Sequence, residues 1–339
     1  MNTCSRAALL AAATTILAQT TSLAAKSPAT FDPAPYLHAQ RLVDIGGRHL
    51  NLYCTGSGSP TVVLEASGGG DMLDWRFVQP LVAKHTRVCS YDRAGSGFSD
   101  IGPLPRDADA IASDLHTLLA RAAIGGPFVL VGHSDGELYA RVYADRYLGD
   151  VGGLVFVEPA LERQDERRAE AAAPHYAQSV DREKVIDRAC ALAEAQHRLR
   201  PHTHVYDACT AEPYTDVPAT LKAVIRMQTR RAGWWKDYVS ENIDDEATAR
   251  EVRDQQRSYG SLPLVVLTAD DVFPPGAFPQ TEERAMVAIL RESRAGVTHL
   301  SSRGSRMEIP MCHQDETTRC ASSVAIAIEN VIAEGKPRP

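Results

Sequence analysis

The chain has 339 residues, of which 44% are apolar and 23% charged, with a net charge of −7 at neutral pH. These proportions are those of an ordinary globular protein, and the length allows one large domain or two small ones. The acidic balance argues against non-specific binding to nucleic acid or to an anionic membrane surface.

The first 25 residues differ in kind. Arg6 is their single charge, an Ala/Leu-rich apolar run follows over 7–18, and small residues converge on Ser22, Leu23, Ala24 and Ala25. A charged start, a short apolar stretch and a small-residue cleavage zone predict a signal peptide, and the run is too short to span a bilayer. The expectation is cleavage after Ala24 or Ala25, export to the periplasm or the medium, and no membrane insertion afterwards. Removal of this leader takes Cys4 with it and leaves Cys54, Cys89, Cys190, Cys209, Cys312 and Cys320. An even number in an exported chain points to disulfides, and six cysteines permit 15 pairings. Sheet order and proximity favour Cys54–Cys89, Cys190–Cys209 and Cys312–Cys320 over buried free thiols. The absence of a Cys-x-x-Cys pair argues against a zinc ribbon.

Two strands are expected at 41–45 and 48–54, around the hairpin signal Gly46-Gly47. An apolar run at 61–66 suits a buried parallel strand and ends in Ser67-Gly68-Gly69-Gly70, where glycine lets backbone approach a ligand closely. A helix is expected over 74–84, a strand over 87–91, and an amphipathic helix over 107–124 with Ile111, Leu115, Leu118 and Leu119 on one face. Phe128 to Val131 is an apolar, β-branched run, after which Leu138, Val142 and Tyr143 fall at helical spacing. Between them lies Gly132-x-Ser134-x-Gly136. A serine on a sharp strand-to-helix turn needs strained backbone angles, and side chains at the two flanking positions would strike the neighbouring strand and helix. The next strand is expected at 153–157, ending in Glu158-Pro159.

Residues 160–260 read as charged helical stretches with no convincing strand. The strand pattern resumes at 262–268, followed by a Pro-rich loop, a helix over 281–293, a short strand near 306–309 and a last helix over 322–333. Strands alternating with helices imply a mainly parallel sheet covered on both faces. Ser67 to Gly70, Asp92, Ser134 and Glu158 all fall at carboxyl ends of strands, where such sheets place their function.

Four features together resemble the α/β-hydrolase fold family: the glycine loop after Val62-Val63-Leu64-Glu65, the segment Tyr91-Asp92-Arg93-x-Gly95-x-Gly97-x-Ser99, the turn Gly132-His133-Ser134-Asp135-Gly136, and a late histidine before a terminal helix. The resemblance implies a core of residues 36–160 and 261–336, with 161–260 as a helical cap over the site. It implies Ser134 as nucleophile, with the acid and then the histidine following it in the chain. His313, between the last strand and the terminal helix, suits the base better than His299. Glu158 and Asp271 compete for the acid: Asp271, with Asp270 before it, follows the strand in the usual family position. The unambiguous register of 155–159 favours Glu158. The oxyanion hole falls to the backbone N–H of Asp135 and one from Ser67 or Gly68. Asp92 and Arg93 are expected to form a charge pair that braces loops. Glu137, where many relatives carry glycine, is expected to face solvent. His175, His197, His202 and His204 in the cap have no metal-ligand spacing.

No cofactor and no metal are called for. The reading is a secreted serine hydrolase that cleaves a small carboxylic ester or lactone through an acyl-enzyme. Amide cleavage, as by an aminopeptidase, is the alternative within catalysis; a non-catalytic binding protein on the same scaffold is the alternative outside it. An aryl ester set against an aminoacyl anilide separates the first two.

Overall fold

The computed structural model describes residues 31–160, 173–210, 217–243, 246–252, 257–269, 276–309 and 320–335. Eight strands form one sheet in the order β1-β2-β4-β3-β5-β6-β7-β8. They are β1 Arg41–Asp44, β2 His49–Thr55, β3 Thr61–Glu65, β4 Val88–Tyr91, β5 Phe128–His133, β6 Val151–Val157, β7 Leu264–Ala269 and β8 Gly304–Ile309. The β1–β2 and β2–β4 pairs are antiparallel, and every later pair is parallel.

The continuous apolar runs of the parallel strands follow from burial on both faces. Phe128 and Leu130 of β5, with Leu154 and Phe156 of β6, pack on one face. Val129, Val131, Val155 and Val157 pack on the other. The period of two divides each strand between two cores. The first face is covered by α2 (Ala108–Arg121) and α3 (Gly136–Arg146), through Ile111, Leu115, Leu118, Val142 and Tyr143. The second is covered by the short α1 (Gln79–Val82) and by the terminal helix Ala321–Gly335, which supplies Val324, Ile328 and Val331.

The helix expected over 74–84 is a 3-10 turn at Met72–Trp75 followed by α1. Pro80 explains the break, since a proline in a helix interior removes one backbone bond and collides with the turn before it. It sits instead in the first turn of α1, where its missing N–H costs nothing.

Between β6 and β7 the described residues form helices alone: α4 Pro174–Ala195, α5 His204–Cys209, α6 Ala219–Gln228, α7 Trp234–Asn242 and α8 Glu246–Glu251. After β7 come α9 (Gln280–Thr298), β8 and the terminal helix, α10. The cysteines join Cys54 to Cys89 across the β2–β4 pair and Cys190 of α4 to Cys209 of α5. Cys312 lies outside the described residues, as do residues 1–30 and 161–172. Among the described residues no helix is long and apolar enough to cross a membrane.

Candidate active site

The carboxyl ends of β3, β5, β6 and β7 lie side by side, with Glu65 opposite Gly132 and His133 opposite Val157. The Ser134 N–H continues the ladder by donating to Val157 O at 3.0 Å. The chain then turns into α3, and Ser134 takes a φ of +51°, the left-handed region that a side chain rarely occupies. The turn closes on itself, because the Glu137 N–H donates to Ser134 O at 3.0 Å. Its two glycines are imposed by contact. A Cβ at Gly132 would lie 2.6 Å from the backbone N of Glu137, and one at Gly136 would lie 2.7 Å from Glu65 O while colliding with Ala66 O. Ser134 and Asp135 are half-buried at this edge. Asp135 precedes the first turn of α3, where backbone N–H groups lack partners within the helix and the dipole favours negative charge.

The glycine loop faces the turn. A Cβ at Gly68 would strike both Asp135 Oδ2 and Asn242 Oδ1. The Ser67 N–H donates to Asp74 Oδ2 at 3.2 Å, and its hydroxyl to the same oxygen at 2.7 Å. That bond commits the Ser67 N–H elsewhere. Among the described residues the Gly68 N–H has no such bond.

Glu158 follows β6 with a φ of +45°. Its carboxylate accepts from the Ala269 N–H on one oxygen and from the Arg294 guanidinium of α9 on the other. Asp270, Asp271 and His313 lie outside the described residues. His299 caps the carboxyl end of α9, ahead of β8, and is exposed. It therefore lies at the amino ends of the parallel strands, on the opposite edge of the sheet from Ser134. His175 of the helical segment sits 2.6 Å from Glu282 Oε1, and His197, His202 and His204 are exposed.

Two expectations about charge are corrected. Asp92 does not pair with Arg93. It is buried and accepts from the Met72 N–H at 3.0 Å, the Phe98 N–H at 2.8 Å and Asn51 Nδ2 at 2.9 Å. Burial raises its carboxyl above the usual range although these bonds oppose the rise. Arg93, 2% exposed, turns the other way and is held by Glu65 at 2.7 Å and Glu241 at 2.6 Å. Both residues do brace loops. Glu137 does not face solvent; it is fully buried, 3.3 Å from Arg141 one helical turn on. An ion pair at that spacing lets a helix hide a charge that sequence position alone would put outside.

Sequence reasoning passed over Glu65, Asp74, Glu241 and Arg294. Glu65 ends an apolar run, a position that signalled a buried charge. Glu241 and Arg294 carried no signal, since their partners lie 148 and 136 residues away.

Helix α7 presses on this edge. Asp237 accepts from the Gly102 N–H at 2.8 Å, and Ser240 Oγ from the Arg106 N–H at 2.9 Å. Glu241 Oε1 also accepts from the Gly69 N–H at 3.2 Å. Between α7 and the glycine loop lies a recess of about 210 Å³ lined by Gly69, Ser96, Trp234, Tyr238, Glu241 and Asn242. The arrangement offers a hydroxyl on a strained turn, beside a helix N-terminus, a glycine loop and a shallow, partly open recess.

Residues 60–259 match the family model described as alpha/beta hydrolase fold. Over 81 residues the chain is 42% identical to an uncharacterized protein of Schizosaccharomyces pombe, a match covering 24% of this chain and 15% of that protein. The chain spans well under half the length of the curated relatives it matches first. A thermophilic esterase from Thermogutta terrifontis superposes with a TM-score of 0.55 at 17% identity, covering 88% of this chain and 100% of that one. The epoxide hydrolase CorEH superposes at 0.58 and 15% identity, covering 88% and 99%. At such identities the likeness is one of fold.

Proposed function

Since the chain belongs to the alpha/beta hydrolase fold family, we propose that it is an exported serine hydrolase cleaving a small carboxylic ester or lactone through an acyl-enzyme. The observation that carries the reading is Ser134 at φ +51° between two glycines whose Cβ atoms have no room. Strain of this kind persists only where the surroundings enforce it, and it clusters at functional turns. Among similar folds are an esterase and an epoxide hydrolase. A hydroxyl at the turn, rather than a carboxylate, directs the chemistry to acyl transfer.

A serine hydroxyl is a weak nucleophile until a base takes its proton. In the proposed sequence Ser134 Oγ attacks the substrate carbonyl carbon while His313 accepts the hydroxyl proton. The oxyanion forms against the backbone N–H groups of Asp135 and Gly68, because the Ser67 N–H is bonded to Asp74. Collapse breaks the bond to the alcohol oxygen, which leaves with the proton from His313. Water then repeats the attack on the acyl-enzyme, releasing the acid and restoring Ser134. A carboxylate, Glu158 or Asp271, orients His313. The helices between β6 and β7 form the cap that shapes the substrate recess.

Export rests on residues 1–25, with the two disulfides in support, since such bonds persist in oxidising compartments. N-terminal sequencing of the mature protein is expected to begin at residue 25 or 26. A fluorophosphonate probe is expected to label wild type at Ser134 and to leave Ser134→Ala unlabelled. A panel of esters varied in chain length is expected to be cleaved by wild type alone. Active protein that resists labelling at Ser134 overturns the reading.

A further inference from the structure

Among the described residues, the Ser67–Gly68 peptide unit is held from one side only. Ser67 O accepts from Arg93 Nη2 at 2.6 Å and from the Gly70 N–H at 2.9 Å. The same guanidinium donates to Ala66 O at 3.0 Å and to Gly70 O at 3.4 Å, so one side chain holds three carbonyls of the loop. A trans peptide is planar, and its C=O and N–H point in opposite directions. Fixing Ser67 O therefore fixes the Gly68 N–H, and aims it away from Arg93.

Arg93 is itself fixed. Glu65 takes Nη1 at 2.7 Å, and Glu241 Oε1 takes Nε at 3.0 Å and Nη2 at 2.6 Å. The Tyr139 ring of α3 lies under the guanidinium, 5.1 Å from Cζ. Tyr91 donates to the second Glu65 oxygen at 2.5 Å. The guanidinium and both carboxylates are each less than 5% exposed. A planar guanidinium with five donors can bind two carboxylates and three carbonyls at once; an ammonium cannot. Glu241 comes from the helical segment between β6 and β7, so the loop is set partly by the cap.

We propose that Arg93 is a positioning residue that locks the Ser67–Gly68 peptide plane so that the Gly68 N–H meets the oxyanion, with Glu241 holding the guanidinium in place from α7. The inference rests on the serine hydrolase reading for its catalytic consequence, but the lock itself does not. A cation on the carbonyl side also polarises the peptide and makes its N–H a stronger donor.

The test uses Arg93→Lys and Glu241→Gln in the full mature protein. Loss of an oxyanion donor lowers turnover by roughly 10²–10³-fold. Misalignment of one is expected to lower kcat roughly 10- to 100-fold in Arg93→Lys and less in Glu241→Gln, with KM within about threefold. Affinity for an alkyl boronic acid, which mimics the tetrahedral species at Ser134, is expected to fall in step with kcat. The second readout is the Gly68 amide resonance. Labelling with carbonyl-¹³C serine and ¹⁵N glycine selects the three Ser–Gly peptides of the chain, Ser57–Gly58, Ser67–Gly68 and Ser96–Gly97. The Gly68 signal is expected to shift in both variants, and the Gly58 signal to stay. An unmoved Gly68 signal in folded Glu241→Gln, with kcat and boronate affinity within twofold of wild type, overturns the inference. If Gly68 shifts while wild type cleaves no ester, the lock stands and the hydrolase reading falls alone.

Discussion

Arg294 donates to the Glu158 carboxylate from 136 residues further along the chain, and the Ala269 N–H takes its other oxygen. Glu158 is thus anchored at the end of β6 by the last residue of β7 and by the helix α9 that comes after it. The pairing gives its carboxylate a structural use that requires no histidine. Replacing Glu158 and Asp271 separately by alanine distinguishes the roles. The triad acid is expected to lose roughly 10⁴-fold in kcat. If Glu158 is only a structural partner of Arg294, Glu158→Ala keeps most of its turnover and loses about 1–3 kcal/mol of stability, because its charge-assisted bond to the buried guanidinium is broken. Ester kinetics and urea unfolding on the same two variants give the answer.

The crowding at the elbow sets a second expectation. A methyl at Gly136 has to displace the carbonyls of Glu65 and Ala66, which are backbone and cannot swing aside. Gly136→Ala is expected to lose about 1–3 kcal/mol and a larger share of kcat than of fluorophosphonate-reactive protein. Gly149, whose added Cβ meets nothing within 4 Å, is the control position. Gly149→Ala is expected to match wild type in both measurements.

Asp71 supplies a pH dependence. Burial first, then the nearby carboxylates of Asp92 and Asp74, push its carboxyl up to about 8. The folded protein therefore holds this proton more tightly than the unfolded chain. The contribution to stability is complete below pH 4 and is lost as pH rises through about 8. Its Oδ1 caps the turn at Met72–Trp75 by accepting from the Leu73 N–H at 2.7 Å, a bond that an asparagine Oδ1 can also accept. Asp71→Asn is expected to unfold at a higher temperature than wild type at pH 9 and to show a flatter stability profile between pH 4 and 8. A steeper profile sinks the assignment.

Cys190–Cys209 closes 19 residues of the helical segment and packs with Trp235 of α7. By chain entropy such a loop is worth about 3 kcal/mol. The double variant Cys190→Ala/Cys209→Ala is expected to lose about that amount in urea unfolding. Because α7 also carries Glu241, its kcat is expected to fall more than its KM rises.

How much of this was legible in the sequence follows from the range of the forces involved. The elbow is a local object: the clash that demands Gly132 and Gly136 arises within five residues and against one adjacent strand, so the motif shows it. The strands were legible because burial on both faces leaves unbroken apolar runs, and the two stapled cysteine pairs because one spans strands that pair in the sheet. Glu137 was misread because its partner Arg141 is invisible unless α3 is known to be buried on that side. Asp92 and Arg93, being adjacent on an extended chain, point apart, which adjacency in sequence conceals. Glu241 and Arg294 belong to pairs formed only when the sheet brings distant segments together. His313 and Asp271 remain expectations drawn from chain order.

The Cys54–Cys89 bridge sits at the seam where the sheet changes from antiparallel to parallel. Tension applied at the amino end would unzip β1 and then β2, one rung at a time, until it met a covalent tie. The load would then pass through the bridge to Cys89, so residues 55–88, with β3 and the glycine loop after it, are bypassed by whatever pulls on the front of the molecule.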